Sequence, residues 1–170
     1  LKRGELDEYL PPAREFIDHD SYKYIINDDG KPFRAFSVIG QLGCPFECGF
    51  CCGRDSHSLR VIRTRSVSNI INEKESVVVD SEDPQKFTDP FRGVMFYDDE
   101  LNVSPGNLEE LCRGLIDLQK RLGIEMRFRG FVKAELFTRE QANLMYKAGF
   151  RILLTGIESG SDKILNAMKK

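Results

Sequence analysis

Apolar positions along this chain alternate between short continuous runs and longer stripes of helical spacing. Ala35 to Ile39 is a short apolar, β-branched run that ends at Gly40. Gly93-Val94-Met95-Phe96-Tyr97 is a second run and opens into Asp98-Asp99-Glu100. From Glu125 to Glu135, Met126, Phe128, Gly130 and Val132 alternate with charged residues, and Phe150 to Gly156 forms a fourth apolar segment. Short apolar runs bounded by polar or turn residues predict buried strands.

Helical stripes follow each run. Val67, Ile70 and Ile71 sit behind Ser66 or Ser68 as a cap and predict a helix to roughly Glu75. Leu108, Leu111, Leu115, Leu118 and Leu122 repeat behind Asn107, with Glu110 three positions on, and stop at Gly123. Thr138 caps a helix carrying Ala142, Leu144, Met145 and Ala148 up to Gly149, and Asp162 to Lys170 begins a fourth. The stretch from Ser76 to Arg92 fits neither period. Residues 1–34 are polar, with Pro11-Pro12, Asn27-Asp28-Asp29-Gly30 and Lys31-Pro32 as turn chemistry, and read as a lead-in or linker to a core over 35–170.

Strands alternating with helices at this spacing imply parallel β-α units with right-handed crossovers. Four units are present, where a closed barrel takes about eight. Periodicity alone leaves a partial barrel and a doubly wound sheet both open. In either, sites gather beyond the carboxyl ends of the strands.

Composition narrows the function classes. With 25 Lys+Arg against 27 Asp+Glu in 170 residues, the net charge of -2 supplies no broad field for nucleic acid or an anionic membrane. No apolar run approaches the roughly 20 residues that cross a bilayer, and the charged N-terminus has no secretory apolar region. A cytoplasmic protein is expected. Leu1 stands where a Met would start a chain, and Ala167-Met168-Lys169-Lys170 falls within a helical pattern, so both ends read as cut.

Of five cysteines, four crowd into nine positions: Cys44, Cys48, Cys51 and Cys52. That is poor spacing for disulfides between distant segments and suits a metal or cluster. Three thiolates at C-x3-C-x2-C on one loop can wrap a cubane and leave its fourth iron open. A structural zinc site would add Cys52 or His57 as fourth ligand, although such sites usually draw two pairs from separate loops. An electron carrier would want four thiolates. Plain buried or redox-labile thiols are the remaining reading, and Cys112, on the leucine-rich helix, reads as core.

Cys44-x3-Cys48-x2-Cys51, with Phe50 before the last cysteine and the loop placed after a first strand, resembles the signature of the radical S-adenosylmethionine (SAM) superfamily. The resemblance spans about residues 35 to 170. It implies a partial (β/α) barrel, a 4Fe-4S cluster on the three cysteines, and SAM chelated by the open iron. Reductive cleavage to a 5′-deoxyadenosyl radical would follow, fed by an external flavodoxin- or ferredoxin-like electron donor. It also places Phe50 near the adenine. Asp98 and Asp99 match the place where many members meet the methionyl amino group with a Gly-Gly-Glu motif, whose glycines are absent here. Glu158 and Ser159, in Gly156-Ile157-Glu158-Ser159-Gly160, match contacts to the ribose or carboxylate of SAM, with a helix cap as the structural alternative. Lys133 stands where related proteins often place arginine, and lysine lacks the bidentate fork.

Together with Pro11-Pro12-Ala13-Arg14, the pattern is most similar to members that carry a cobalamin-binding domain before the barrel. That domain is not in this chain, and the methylthiotransferase-like branch shares much of the pattern. The substrate, a small molecule or otherwise, is not named by any motif. The basic run Arg54, Arg60, Arg63 and Arg65 could receive an anion, although a solvated face is the simpler reading, as it is for His57. A piece that keeps the motifs but completes no reaction alone is a further alternative.

Overall fold

A computed structural model describes residues 5–18, 21–85 and 87–170; the side chains of Glu15 and Arg54 lie outside the described set. Among the described residues, seven strands and five α-helices follow in chain order. The strands are β1 (Tyr24–Asp28), β2 (Lys31–Val38), β3 (Gln41–Leu42), β4 (Arg63–Thr64), β5 (Gly93–Phe96), β6 (Arg127–Phe131) and β7 (Phe150–Leu154). The helices are α1 (His57–Arg60), α2 (Val67–Asp80), α3 (Pro105–Leu122), α4 (Arg139–Ala148) and α5 (Asp162–Ala167).

The main sheet has the order β1-β2-β5-β6-β7, with β2, β5, β6 and β7 parallel and β1 antiparallel to β2. It curls into a half-barrel, the partial (β/α) barrel that the family resemblance implied and not the doubly wound sheet that periodicity left open. The outer face is dry. Phe36, Val94, Phe96, Phe128 and Phe150 share one core with Ile70 of α2, Leu111 and Leu115 of α3, and Met145 of α4. Phe96 and Phe150 stack with centroids 5.6 Å apart. Burying such aromatic and aliphatic side chains contributes roughly 1.5–3 kcal/mol each before the entropy of ordering them is counted.

Helix ends obey local chemistry. Ser66 accepts from the Asn69 N–H at 3.2 Å, and Thr138 forms a reciprocal capping box with Gln141. Gly123 (φ 65°) and Gly149 (φ 111°) end α3 and α4 in the left-handed region, where a side chain is strained. Three boundaries differ from the sequence-based expectation. Helix α3 begins at Pro105 behind Ser104 rather than behind Asn107, because proline at the first helical position has no N–H to leave unpaired. Helix α2 runs on to Asp80 and α5 stops at Ala167.

The lead-in requires a larger correction. Residues 24–38 form a hairpin around Asp29 and Gly30, both at positive φ, so strand one starts at Lys31 and has an antiparallel partner. The turn residues were legible, but the strand was masked by its one buried position, Ile26, among exposed neighbours. Strand β1 bends over the concave face: Ile26 joins Phe33, Ala35, Met95 and Ile152 in a second cluster. Asp28 at its end pairs with Arg127 and Arg151. Further upstream, Arg14 Nη2 donates to Ser37 O at 2.7 Å and to Glu73 at 2.6 Å. These contacts bind the lead-in to the core.

Candidate functional site: the cysteine loop and the carboxyl ends of the strands

The cysteine loop leaves β2 at the carboxyl edge of the sheet. Its neck is a two-stranded ribbon in which Gln41 pairs with Thr64 and Leu42 with Arg63. The Cys44 N–H donates to Leu59 O at 2.8 Å, and the Cys51 N–H to Cys48 O at 3.0 Å, so the segment between them is a tight turn. Gly43 takes φ +95°, and a Cβ there would stand 2.3 Å from Val61 O, so only glycine fits without a shift.

Two carboxylates from the end of β5 clasp this neck. Asp98 Oδ1 accepts the Gly40 N–H at 2.7 Å, and Asp99 Oδ2 accepts the Gly43 N–H at 2.7 Å. Their environments differ. Strand residues alternate faces; Asp98 follows Val94 and Phe96 under the helices and is 4 % exposed, whereas Asp99 is exposed. Burial pushes the Asp98 carboxyl up to about 6, opposed by the Gly40 N–H and the Lys74 charge. Lys74 of α2 is fully buried with its ammonium 4.3 Å from the Phe96 ring centroid and, among the described residues, no hydrogen-bond partner. Burial brings it down to about 7.

The remaining expected residues lie along the same edge. Lys133 is buried; its Nζ sits 4.2 Å from the Phe46 ring centroid, inside the cysteine loop, and 3.0 Å from Glu135 Oε2. Asn102 fixes the Lys133 backbone from both sides, donating to its carbonyl at 3.0 Å and accepting from its N–H at 2.8 Å. Phe50 is exposed, with Lys170 Nζ 5.7 Å from its ring centroid. Glu158 has φ +60°, a left-handed conformation strained for a non-glycine residue, and accepts from Lys170 Nζ at 3.2 Å. Ser159 accepts the Ser161 N–H at 3.1 Å just before α5, while Ser161, at the cap position, makes no side-chain cap bond. The Gly49 N–H donates to Met168 O at 2.6 Å, which brings the end of α5 against the loop.

Glu100 belongs to the site and was not singled out from the sequence. Its Oε2 is buried without a partner, and burial pushes the carboxyl up to about 7 against the charges of Lys133 and Lys170. Burial also raises the Cys44 thiol, opposed by the Phe46 backbone and reinforced by Glu100 and Asp99. The signal for Glu100 was its place directly after the two aspartates at a strand end.

Two arginines of the basic run are already paired with carboxylates. Arg60 pairs with Glu47 at 2.7 Å, Arg63 donates to Ser58 O at 3.3 Å, and Arg65 pairs with Glu73. Arg54 lies outside the described side chains. His57 opens α1 on the exposed surface.

Cys44, Cys48 and Cys51 are all free thiols, three soft donors within eight positions at the mouth of the half-barrel. In kind and number they fit a cluster. Among the described residues, however, no three His, Cys, Asp or Glu side chains are gathered closely enough to hold a metal ion. The backbone is set while the thiols are not drawn together. Among the described residues, no helix is long and apolar enough to cross a membrane.

No family model matches the chain. It is 26% identical over 168 residues to a protein of Pyrococcus horikoshii named as an uncharacterized methyltransferase, covering 97% of this chain and 32% of that protein. In structure it resembles the radical SAM methyltransferase TsrM from Kitasatospora setae, described with tryptophan substrate and a SAM analog bound. The TM-score is 0.67 at 19% identity, over 79% of this chain and 24% of that one. It also resembles the cobalamin-dependent SAM radical enzyme OxsB, with a TM-score of 0.64 at 18% identity over 79% and 20% of the two chains. The chain therefore spans about a third of the curated relative and about a quarter or less of these structures. What the likeness establishes is the fold: a partial barrel of the kind found in cobalamin-dependent radical SAM enzymes.

Proposed function

We propose that this chain is the cluster- and SAM-binding part of a radical SAM enzyme, of the methyl-transferring kind that its relatives' names describe. The observation that carries the reading is the cysteine loop itself. Three free thiols stand at the carboxyl edge of a parallel half-barrel, and the neck of their loop is clasped by Asp98 and Asp99.

Cys44, Cys48 and Cys51 would hold a 4Fe-4S cluster, which when bound supplies an open iron for the amino and carboxylate groups of SAM and the electron that splits its sulfonium. Every other part is played by the chain's own residues. Asp98 and Asp99 position the loop through its backbone, and the exposed Asp99 stands at the rim within reach of the methionyl amino group that the resemblance assigns to this pair. Glu100 presents a partnerless carboxylate oxygen and Lys133 a cation beside Phe46, opposite charges suited to the two ends of an amino acid moiety. Phe50 offers an exposed ring to the adenine, and Glu158 and Ser159 offer polar groups to the ribose. A cobalamin domain and an electron donor would come from outside this chain.

Anaerobic iron-sulfur reconstitution followed by electron paramagnetic resonance of the reduced protein tests the reading. A 4Fe-4S signal that changes when SAM is added is expected, as is its loss on Ala replacement of Cys44, Cys48 or Cys51 but not of Cys52. Zinc in place of iron, or a cluster indifferent to SAM, would overturn it.

A further inference from the structure

Below the cysteine loop, the concave face of the half-barrel has a composition of its own. Backbone register aligns Ser37 with Met95, Met95 with Arg129, and Arg129 with Ile152, one row across the four parallel strands. Met95 and Ile152 belong to the apolar cluster that Ile26 caps, so Arg129, between them in register, emerges on that same face. Alternation agrees. Phe128 enters the helix-covered core, and a Cβ on Gly130 would meet Leu101 and Phe96 there, leaving 127, 129 and 131 to the concave side.

The other concave-face arginines have counter-charges. Arg127 pairs with Asp28 and Glu125 and lies 4.7 Å from the Phe33 ring centroid, and Arg151 pairs with Asp28. Together they close the lower end of the half-barrel. Arg129 has no carboxylate partner among the described residues and is half-buried. On the same face, the phenol of Tyr97 lies 4.0 Å from Met95 Sδ and is subject to the Arg129 charge. Tyr24 stands beside Tyr97, and Phe131 and Leu154 are paired one row nearer the rim. A half-buried guanidinium beside apolar and aromatic side chains has capacity for a planar oxyanion. One uncompensated cation matches one negative charge.

We infer that Arg129 and Tyr97 recognise the carboxylate of a small substrate whose apolar body lies on Phe131 and Leu154, at the edge of the cluster that Ile26 closes. Calling that molecule the substrate rests on the radical SAM reading; the binding itself does not. Arg129 sets specificity here, and the chemistry stays at the rim above it. This face selects an organic monoanion over its neutral isostere, because the guanidinium makes stronger, charge-assisted hydrogen bonds with a carboxylate than with an amide.

Paired probes of one shape test this: 2-naphthoate and neutral 2-naphthamide, titrated by ligand-observed nuclear magnetic resonance against the chain. The carboxylate is expected to bind at least about tenfold more tightly than the amide, the factor expected of a charge-assisted contact. Arg129→Gln should erase the preference, and Arg129→Lys should restore part of it. The cysteine-to-alanine variants should leave it intact, which separates this inference from cluster binding. Equal binding of the two probes, absence of binding by either, or a preference that survives Arg129→Gln would overturn it even if the SAM-sensitive cluster signal is found. A misfolded Arg129→Gln leaves the wild-type comparison decisive by itself.

Discussion

The buried Asp98 carboxylate receives the Gly40 N–H at 2.7 Å, joining the end of one parallel strand to the exit of its neighbour. A Cβ on Gly40 would fall 2.8 Å from Ile70 Cδ1 and 3.2 Å from Asp98 Oδ2, so the Ile70 and Asp98 side chains would have to shift to admit one. Asp98→Ala should therefore leave a buried N–H unpaired and lower stability by about 1–3 kcal/mol. Asp98→Asn, which keeps an acceptor oxygen, should lose less. Chemical denaturation of both variants checks the order.

Asp98 and Lys74 give stability an unusual dependence on pH. Between 3.8 and about 6 the folded chain keeps an Asp98 proton that the unfolded chain has released, so stability falls as pH rises. Between about 7 and 10.5 the unfolded chain holds a Lys74 proton that the folded chain has lost, so stability rises with pH. Their joint contribution is lowest between about 6 and about 7. Glu100 adds a fall between 4.5 and about 7. Thermal melts across pH should show a smaller rise on the alkaline side in Lys74→Met, with a higher melting temperature at neutral pH; unchanged curves would refute the burial argument.

Gly43→Ala should disturb the loop more than an exposed alanine would. It meets both a left-handed φ and a backbone oxygen, and strain of this kind costs about 1–3 kcal/mol. Because the Gly43 N–H is also the Asp99 ligand, the variant should bind less iron on reconstitution than wild type while its circular dichroism stays α/β. Full iron loading would show that the neck does not position the thiols.

Glu73 lies between Arg14 and Arg65, its side chain 6% exposed. Removing it by Glu73→Ala leaves two poorly solvated guanidiniums without a counter-charge, with an expected loss of about 3 kcal/mol. Arg14→Ala should lose less, since Arg65 still serves Glu73, and should expose the lead-in to limited proteolysis. Denaturation midpoints and cleavage rates distinguish the two effects.

Legibility from sequence tracked the range of the interaction. Helix stripes such as Leu108 to Leu122, the Ser66 and Thr138 caps and the four apolar strand runs could be read because each is decided within a few residues. The β1–β2 hairpin was half legible: its turn residues were visible, but Ile26 is buried by Met95 and Ile152, whose strands are remote in the chain. Asp98 and Asp99 showed the opposite limit. Adjacent acidic residues look equivalent in a string of letters, and the two-residue period of the strand sends one beneath the helices and leaves the other at the rim.

Local order therefore sufficed for the alternation of elements, the helix limits to within a few residues, and the position of a cysteine cluster after the first parallel strand. Side-chain direction, burial and pairing needed the folded sheet. Only there does Lys74 come under Phe96, Lys133 over Phe46, and Arg129 into the row between Met95 and Ile152. The reason is physical: propensity and periodicity are properties of neighbouring residues, whereas desolvation and charge pairing depend on groups that only the curl of the sheet brings together.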